Sequence, residues 1–224
     1  MIVAIHQPNY LPYLGFFDKM SQVDIFVIYD DAQFNNADFQ HRNKIRIFQG
    51  WKWLTVPVEK KLKSIKEIKI KNELHIKGKK WSHAHLREIR ENYIDSPFYA
   101  KYEHDFEGIF RENYKNLIDL NMQIISFLKD AFNIKTKIIF SSELGFTSKS
   151  TERLVEIVES LNGDIYLSGA MGINYLNLSL FESKGIEVQY QDFKHPIYSQ
   201  RYEGFIPNMS SIDALFNLGK IPRT

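Results

Sequence analysis

The sequence contains no cysteine. That absence excludes a disulfide framework, a thiolate nucleophile and a zinc–thiolate site, and it makes the cytoplasm the default location. Glycine and proline are scarce, at 11 and 7 of 224 residues, which excludes a low-complexity polymer. The longest uncharged runs, residues 2–17 and 165–181, are broken by polar residues, proline or glycine and are too short to span a membrane. The first residues lack the basic segment and cleavage site of a signal peptide, so we expect a soluble cytoplasmic protein.

The charge that is present is unevenly distributed. The net charge is +2, but residues 59–80 hold nine lysines and three glutamates, or +6, and the remaining chain has 20 basic against 24 acidic residues, or −4. Aromatic side chains are almost absent from residues 59–80, so this stretch offers no stacking platform for single-stranded nucleic acid. We expect a solvated surface there and no nucleic-acid partner.

The apolar pattern predicts an α/β protein with a Rossmann-like, mostly parallel sheet. Residues 2–5 and 24–29 have the character of strands buried on both faces, and the intervening residues 14–20 that of a helix, which together make a βαβ unit. Further strands are predicted at residues 53–58, 136–140, 164–168 and 186–190, and further helices at 150–161, 174–183 and about 212–216. A 3.6-residue period predicts a helical insertion over about residues 81–133, within a single domain covering residues 1–224.

Two shorter segments have weaker signals. Ile65, Ile68 and Ile70 alternate with lysines, which fits a solvated strand, a hairpin or a loop. Ser210 and Asp213 have the spacing of a capping box for the last helix.

Polar residues follow the first two predicted strands. The segment HQPNYLPYLG, residues 6–15, offers the titratable His6, the amides of Gln7 and Asn9, and Tyr13. An ordinary proline-rich turn with a hydrogen-bonded histidine is the alternative. Asp30 and Asp31 follow the second strand and would emerge beside His6 if the two strands are parallel neighbours. They could hold a metal, orient an amine or share a proton, or they could cap the next segment.

Other polar clusters are candidate binding residues. Arg42 and Lys44 are suited to phosphate oxygens, and a GxxG turn between a strand and a helix can present backbone amides to an anion. His83 and His85 are two residues apart, which puts them on different sides of a helix and argues against a shared metal site. The predicted binding residues outside the first loop and the Asp30–Asp31 pair are Gln33, Arg42, Asn43, Lys44, Ser168, Gly169, Tyr175, His195, Gln200 and Asn208.

Five segments together resemble the WbqC-like family of bacterial proteins. They are HQPNYLPYLGFFDKM (residues 6–20), DIFVIYDDAQF (24–34), FQHRNKI (39–45), IYLSGAMGINYL (165–176) and FIPNMSSIDALFNLG (205–219). The segments occur in order and span almost the whole chain, and the lysine-rich and helical middle is the least distinctive part.

The resemblance implies an enzyme of O-antigen and surface-polysaccharide biosynthesis. Some members of the family are thought to transfer glycine or another amino acid to the amino group of a nucleotide-linked amino sugar. The implied partners are therefore a dTDP- or UDP-linked amino sugar and either an amino acid activated by ATP with Mg²⁺ or an acyl donor that is already activated. Since the chain has no cysteine, a thioester on the enzyme is excluded.

The residues suggest roles in such a reaction. His6 or Asp30 would deprotonate the sugar amine, Asn9 and Gln7 would orient the acyl group, and Arg42, Lys44 and the Ser168–Gly169 turn would hold phosphates. The alternative is a non-catalytic scaffold of a glycan assembly complex that docks through its lysines. The sequence leaves the oligomeric state open, and a homodimer is among the options.

Overall fold

The computed structural model describes residues 1–59 and 62–222, so Lys60 and Lys61 of the lysine-rich stretch lie outside the described residues. Its strands are β1 (Ile2–His6), β2 (Ile25–Ile28), β3 (Arg42–Ile47), β4 (Gly50–Thr55), β5 (His75–Ile76), β6 (Lys79–Lys80), β7 (Lys137–Phe140), β8 (Ile165–Ser168) and β9 (Glu187–Tyr190). Its α-helices are α1 (Leu14–Ser21), α2 (Trp81–Tyr93), α3 (Tyr99–Arg111), α4 (Leu117–Ala131), α5 (Ser150–Ser160), α6 (Leu178–Glu182) and α7 (Ile212–Leu218). Short 3₁₀ helices cover Ile65–Glu67, Ser141–Glu143 and Ala170–Asn174.

The contacts of the chain divide it into two compact units. The sheet unit comprises Met1–Gln7, Gly15–Ala32 and Ile134–Lys194. The hairpin–helix unit comprises Pro8–Leu14, Gln33–Asn133 and His195–Thr224. The single domain expected from the sequence stays a prediction, whereas α2, α3 and α4 do fill the stretch predicted to be helical.

The sheet unit is built on five parallel strands in the order β7-β2-β1-β8-β9. The predicted α/β architecture with a parallel sheet is therefore confirmed. The central strands are short and almost wholly apolar because both of their faces are covered; Val3, Val27 and Tyr166 belong to the same buried cluster as Ile157 of α5. Helix α5 contributes Leu154, Ile157 and Val158 to this cluster, an apolar stripe with the 3.6-residue period of a helix.

The strand order creates a crevice at one place in the sheet. From β1 the chain proceeds through β2 to β7 on one side, and it then continues with β8 and β9 on the other side of β1. The order of the strands thus reverses between β1 and β8, and ligands of open α/β sheets bind outside the carboxyl ends of the strands at this kind of position. His6 ends β1, and Ser168 ends β8.

The hairpin–helix unit contains the antiparallel pair β3–β4 and the helices α2, α3, α4 and α7. Phe216 of α7 lies between Tyr93, Tyr99 and Phe106, with ring centroids 5.1 to 5.5 Å away. Gly219 ends α7 in the left-handed conformation, at φ 69°. The terminal helix is therefore part of the aromatic core of this unit.

Several local predictions differ from the structure. The segment RNKIRI, for which no element was predicted, forms β3, and the predicted strand at residues 53–58 begins and ends earlier, as β4. Ile65, Ile68 and Ile70 are buried, so the stretch is not a solvated alternation; its small hairpin is β5–β6. The helix predicted at residues 174–183 is divided into the Ala170–Asn174 turn and the shorter α6. No helix in the described part of the chain is long and apolar enough to cross a membrane.

Candidate functional site

His6 stands at the carboxyl end of β1, and its side chain is partly exposed. Its ring packs edge-on against Phe16, 4.9 Å between centroids, and lies parallel to Phe26. Burial, followed by the charge of Lys19, lowers the pKa of His6 to about 3, so the imidazole is neutral at physiological pH. Nδ1 lies 2.8 Å from the carbonyl oxygen of Gln7, which can only accept, so Nδ1 carries the proton and Nε2 has a free lone pair.

Lys19 lies behind His6 in the interior of the sheet unit. Only 2% of its surface is exposed, and its Nζ donates to the carbonyl oxygen of Ile5 at 3.2 Å. Burial lowers the pKa of the amine from 10.5 to about 7. A lysine in an apolar interior is costly, and strongly shifted groups in a crevice are typical of functional sites. The sequence analysis missed this residue, because in FFDKM nothing distinguishes Lys19 from an ordinary helix lysine.

The turn after β8 has two glycines with different surroundings. A Cβ on Gly172 would meet the hydroxyl of the buried Ser168 at 2.1 Å, so Gly172 permits the 3₁₀ turn to close over Ser168. A Cβ on Gly169 would meet nothing within 4 Å and would point into open space. Tyr175 follows this turn and is 66% exposed. The turn thus combines a structural glycine with one whose backbone is open to approach.

Gln191 closes the same edge of the sheet and was not predicted. Its backbone N–H donates to the carbonyl of Ser168, and its side-chain amide donates to the carbonyl of Gly15 at 2.8 Å and to the carboxylate of Asp18 at 2.6 Å. A buried amide that connects the ends of two strands with α1 fixes the walls of the crevice.

Asp30 and Asp31 are held by groups that follow β7 and by α5. The Asp30 carboxylate accepts from the backbone and the hydroxyl of Ser142 at 3.1 and 2.7 Å. The Ser141 hydroxyl lies 3.1 Å from Asp30 and 2.5 Å from Asp31, and Arg153 pairs with Asp31. These partners already occupy both carboxylates, which favours a structural role for the pair and leaves few lone pairs for a metal ion.

The predicted residues of the hairpin–helix unit differ in their surroundings. Asn43 is buried and donates to the carbonyl of Leu11 at 2.6 Å, so its amide holds the proline-rich loop. Arg42 and Lys44 lie on the other face of β3, against the rings of Trp53 and Trp51. Asn9 is buried, and Asn208 is exposed with a φ of 60°. The backbone of Tyr13 pairs with that of Ser210, and the backbone of Gln33 with that of Ser64, as isolated β-bridges.

The closing segment converges on Asp213, which had been expected to cap α7. Its carboxylate instead accepts from Tyr93 at 3.0 Å, Tyr198 at 2.8 Å and Gln200 at 2.9 Å. Burial raises the pKa of this carboxyl group above its usual value. His195 lies on the ring of Tyr198, 6.1 Å between centroids. Gln200 and His195 are thus brought together around a buried acid, and this arrangement fixes the segment.

The structure therefore assembles the predicted residues within each unit. In the sheet unit, the residues at the carboxyl edge of the sheet and in the turns that follow are His6, Gln7, Asp30, Asp31, Ser168, Gly169 and Tyr175. Within residues 1–59 and 62–222, no group of three or more histidine, aspartate or glutamate side chains is arranged to hold a metal ion.

Comparison with known proteins identifies the family. The model of the WbqC-like protein family matches residues 7–223. The chain belongs to the WbqC-like protein family. It is also 33% identical over 219 residues to the uncharacterized protein Rv1507c of Mycobacterium tuberculosis, an alignment that covers 97% of this chain and 94% of that protein. No solved structure matches this WbqC-like protein significantly.

Proposed function

We propose that this WbqC-like protein is an aminoacyl transferase, with glycine as the expected acyl group, that forms an amide on the amino group of a nucleotide-linked amino sugar. The observation that carries the proposal is the neutral, partly exposed His6 at the point where the strand order reverses. The substrate class comes from the family resemblance, which implies surface-polysaccharide biosynthesis.

The proposed step uses the Nε2 lone pair of His6. The free amine of the sugar attacks the acyl carbon, and the bond from that carbon to its leaving group breaks with its electron pair. The nitrogen becomes strongly acidic as the amide forms, so even an imidazole with a pKa of about 3 can take its proton. The proton then passes to the leaving group or to solvent.

Other groups at the sheet edge have supporting roles in this proposal. An anionic substrate beside His6 would raise its pKa and make it a better base, since opposite charges favour the protonated ring. The open backbone at Gly169 and the Gln7 amide are suited to a phosphate or an acyl oxygen. The acyl donor is either an amino acid that ATP with Mg²⁺ activates as an adenylate, with pyrophosphate released, or a donor activated beforehand.

The test is an incubation of the protein with UDP- and dTDP-linked amino sugars, glycine, ATP and Mg²⁺, followed by mass spectrometry of the sugar. We expect the sugar to gain one glycyl group, and His6→Asn to abolish the product. His104→Asn is the matched control, because His104 is an exposed histidine of α3. Absence of product with several amino acids and activated donors would rule out the transferase.

One observation favours the scaffold as a second candidate. Ile65 and Ile68 are buried, whereas the neighbouring Lys66 and Lys69 are exposed. The buried isoleucines hold this segment on the protein, and the two lysines form a basic surface on it. The variant Lys66→Glu with Lys69→Glu should weaken association with an anionic membrane or partner if the scaffold is correct. It should leave turnover of a soluble substrate unchanged if the transferase is correct.

A further inference from the structure

The β3–β4 hairpin exposes a face on which cations and aromatic rings alternate. Lys44 is directly opposite Trp53, and Arg42 is directly opposite Thr55. Side chains that lie opposite each other in an antiparallel pair share a face, so these residues stand together, whereas the buried Leu54 points to the other side. We call Phe39, Arg42, Lys44, Trp51 and Trp53 the cation–aromatic face.

The members of this face touch one another. The Arg42 guanidinium lies 4.7 Å from the centre of the Trp53 ring, and the Lys44 ammonium lies 5.1 Å from Trp51 and 5.8 Å from Trp53. Phe39 packs on Trp53 at 5.8 Å. Trp51 and Phe39 are 45% and 44% exposed, so both rings keep surface for a further partner. Large apolar side chains exposed together usually mark an interaction site.

A cavity of about 640 Å³ adjoins this face, and Arg42 and Thr55 form part of its wall. Lys71, Asn36 and Glu59 also line it, so the wall carries two cations against one carboxylate, together with an amide. The Arg42 guanidinium is held in place by Nη2, which donates to the carbonyl oxygen of Ala37. The volume of the cavity is within the range of small-molecule sites.

We propose that the cation–aromatic face and its cavity bind a nucleoside diphosphate, with the base stacked on Trp51 and the phosphates against Arg42, Lys44 and Lys71. The combination of open ring faces and cations matches a planar base joined to a polyanion, because stacking recognises the base and arginine or lysine recognises phosphate. The inference rests on the proposed function only for the choice of a nucleotide as the ligand, and every residue it uses belongs to the hairpin–helix unit.

The test is titration of the full chain with UDP and dTDP, followed by tryptophan fluorescence and calorimetry. We expect quenching of the tryptophan signal, and at least a tenfold weaker affinity in Trp51→Ala and in Lys44→Ala. Trp51→Phe should retain most of the affinity because it keeps a ring. Lys101→Ala is the control, since it removes an exposed lysine of α3, elsewhere in the same unit. Uridine and inorganic phosphate alone should both bind more weakly than UDP.

The outcomes separate this inference from the proposed function. If UDP binds but Trp51→Ala and Lys44→Ala bind it as the wild type does, the nucleotide site is not on this face. If UDP and dTDP do not bind at millimolar concentration, the inference is wrong even where glycyl transfer is observed. If binding depends on this face while no transfer occurs, the inference holds and the transferase proposal fails.

Discussion

The ammonium of Lys19 lowers the pKa of the His6 imidazole, and burial has already lowered the pKa of that ammonium to about 7. The basicity of His6 is therefore linked to pH through a second residue. As the pH rises through 7, Lys19 loses its charge and His6 becomes easier to protonate. Such a pair would give an aminoacyl transferase greater activity on the alkaline side of neutrality.

Lys19→Met should make the protein more stable and should remove the rise of activity with pH, because the charge that lowers the pKa of His6 is then absent at every pH. The folded pKa of Lys19, about 7, lies below its value of 10.5 in the unfolded chain, so the unfolded state binds more protons between these values and stability rises with pH across that window. Methionine fills similar space without a charge to bury, so its advantage in unfolding free energy should be present at pH 6 and should narrow toward pH 10. Urea denaturation at several pH values measures this.

The control for this prediction is Lys135→Met, which changes an exposed lysine of the same unit. It should show no pH-dependent gain. If Lys19→Met is less stable than the wild type at every pH, the hydrogen bond to Ile5 outweighs the cost of burying the amine. If its glycyl transfer equals that of the wild type, Lys19 has no part in the reaction.

The two glycines of the turn after β8 should respond differently to alanine. Gly172→Ala places a methyl group against the Ser168 hydroxyl and should destabilise the protein by about 1–3 kcal/mol through overpacking. Gly169→Ala meets open space and should leave the melting temperature unchanged. A loss of activity in Gly169→Ala without a loss of stability would indicate that substrate approaches this backbone, whereas full activity would place the substrate elsewhere.

His85 should make the protein sensitive to acid. Tyr10 donates to its Nδ1 at 2.8 Å, and burial lowers its pKa to about 3. The unfolded histidine takes up a proton near pH 6.5 and the folded one does not. The contribution of His85 to the unfolding free energy is therefore fully present above pH 6.5 and is lost as the pH falls toward 3. His85→Gln should remove one proton from the pH dependence of the unfolding free energy, which lowers its slope by about 1.4 kcal/mol per pH unit. Urea denaturation of both proteins at pH 7.5 and 4.5 measures the two slopes, and equal slopes would contradict the prediction.

Asp213→Asn should loosen the closing segment. The carboxylate accepts hydrogen bonds from Tyr93, Tyr198 and Gln200. The side-chain NH₂ of an asparagine would face one of these donors, and two donors cannot form a hydrogen bond with each other. We expect a loss of roughly 2–4 kcal/mol and faster amide exchange over residues 195–208. Asp192→Asn changes an exposed acid and serves as the control. Unchanged exchange in Asp213→Asn would mean that other contacts hold the segment.

The sequence predicts the centre of the parallel sheet well because β1 and β2 are continuous apolar runs bounded by turn residues. The runs at β1 and β2 need no distant information, since each is buried on both faces. It fails at β3, where RNKIRI holds only two apolar residues. Arg42 and Lys44 of this strand are accommodated by the tryptophans of β4, which is a contact that the local sequence does not reveal.

Some features of the candidate site could be predicted from the local sequence, and others are visible only in the fold. His6 could be predicted because it follows an apolar strand and precedes a proline-rich loop. The partners of Asp30 could not, since Ser141 lies 111 residues away and meets it only through the pairing of β2 with β7. Asp213 has the spacing of a cap, and only the fold reveals the two tyrosines that it binds.

The nested order of the segments has a consequence for the growing chain on the ribosome. Strand β2 must wait for β7 while residues 33–133 are made, a delay of roughly 5–20 s at about 5–20 residues per second. The hairpin–helix unit is equally incomplete until α7 is translated. The sheet unit is complete only when Lys194 has been made, so a premature stop before β9 would leave both units unfinished and expose the product to proteases.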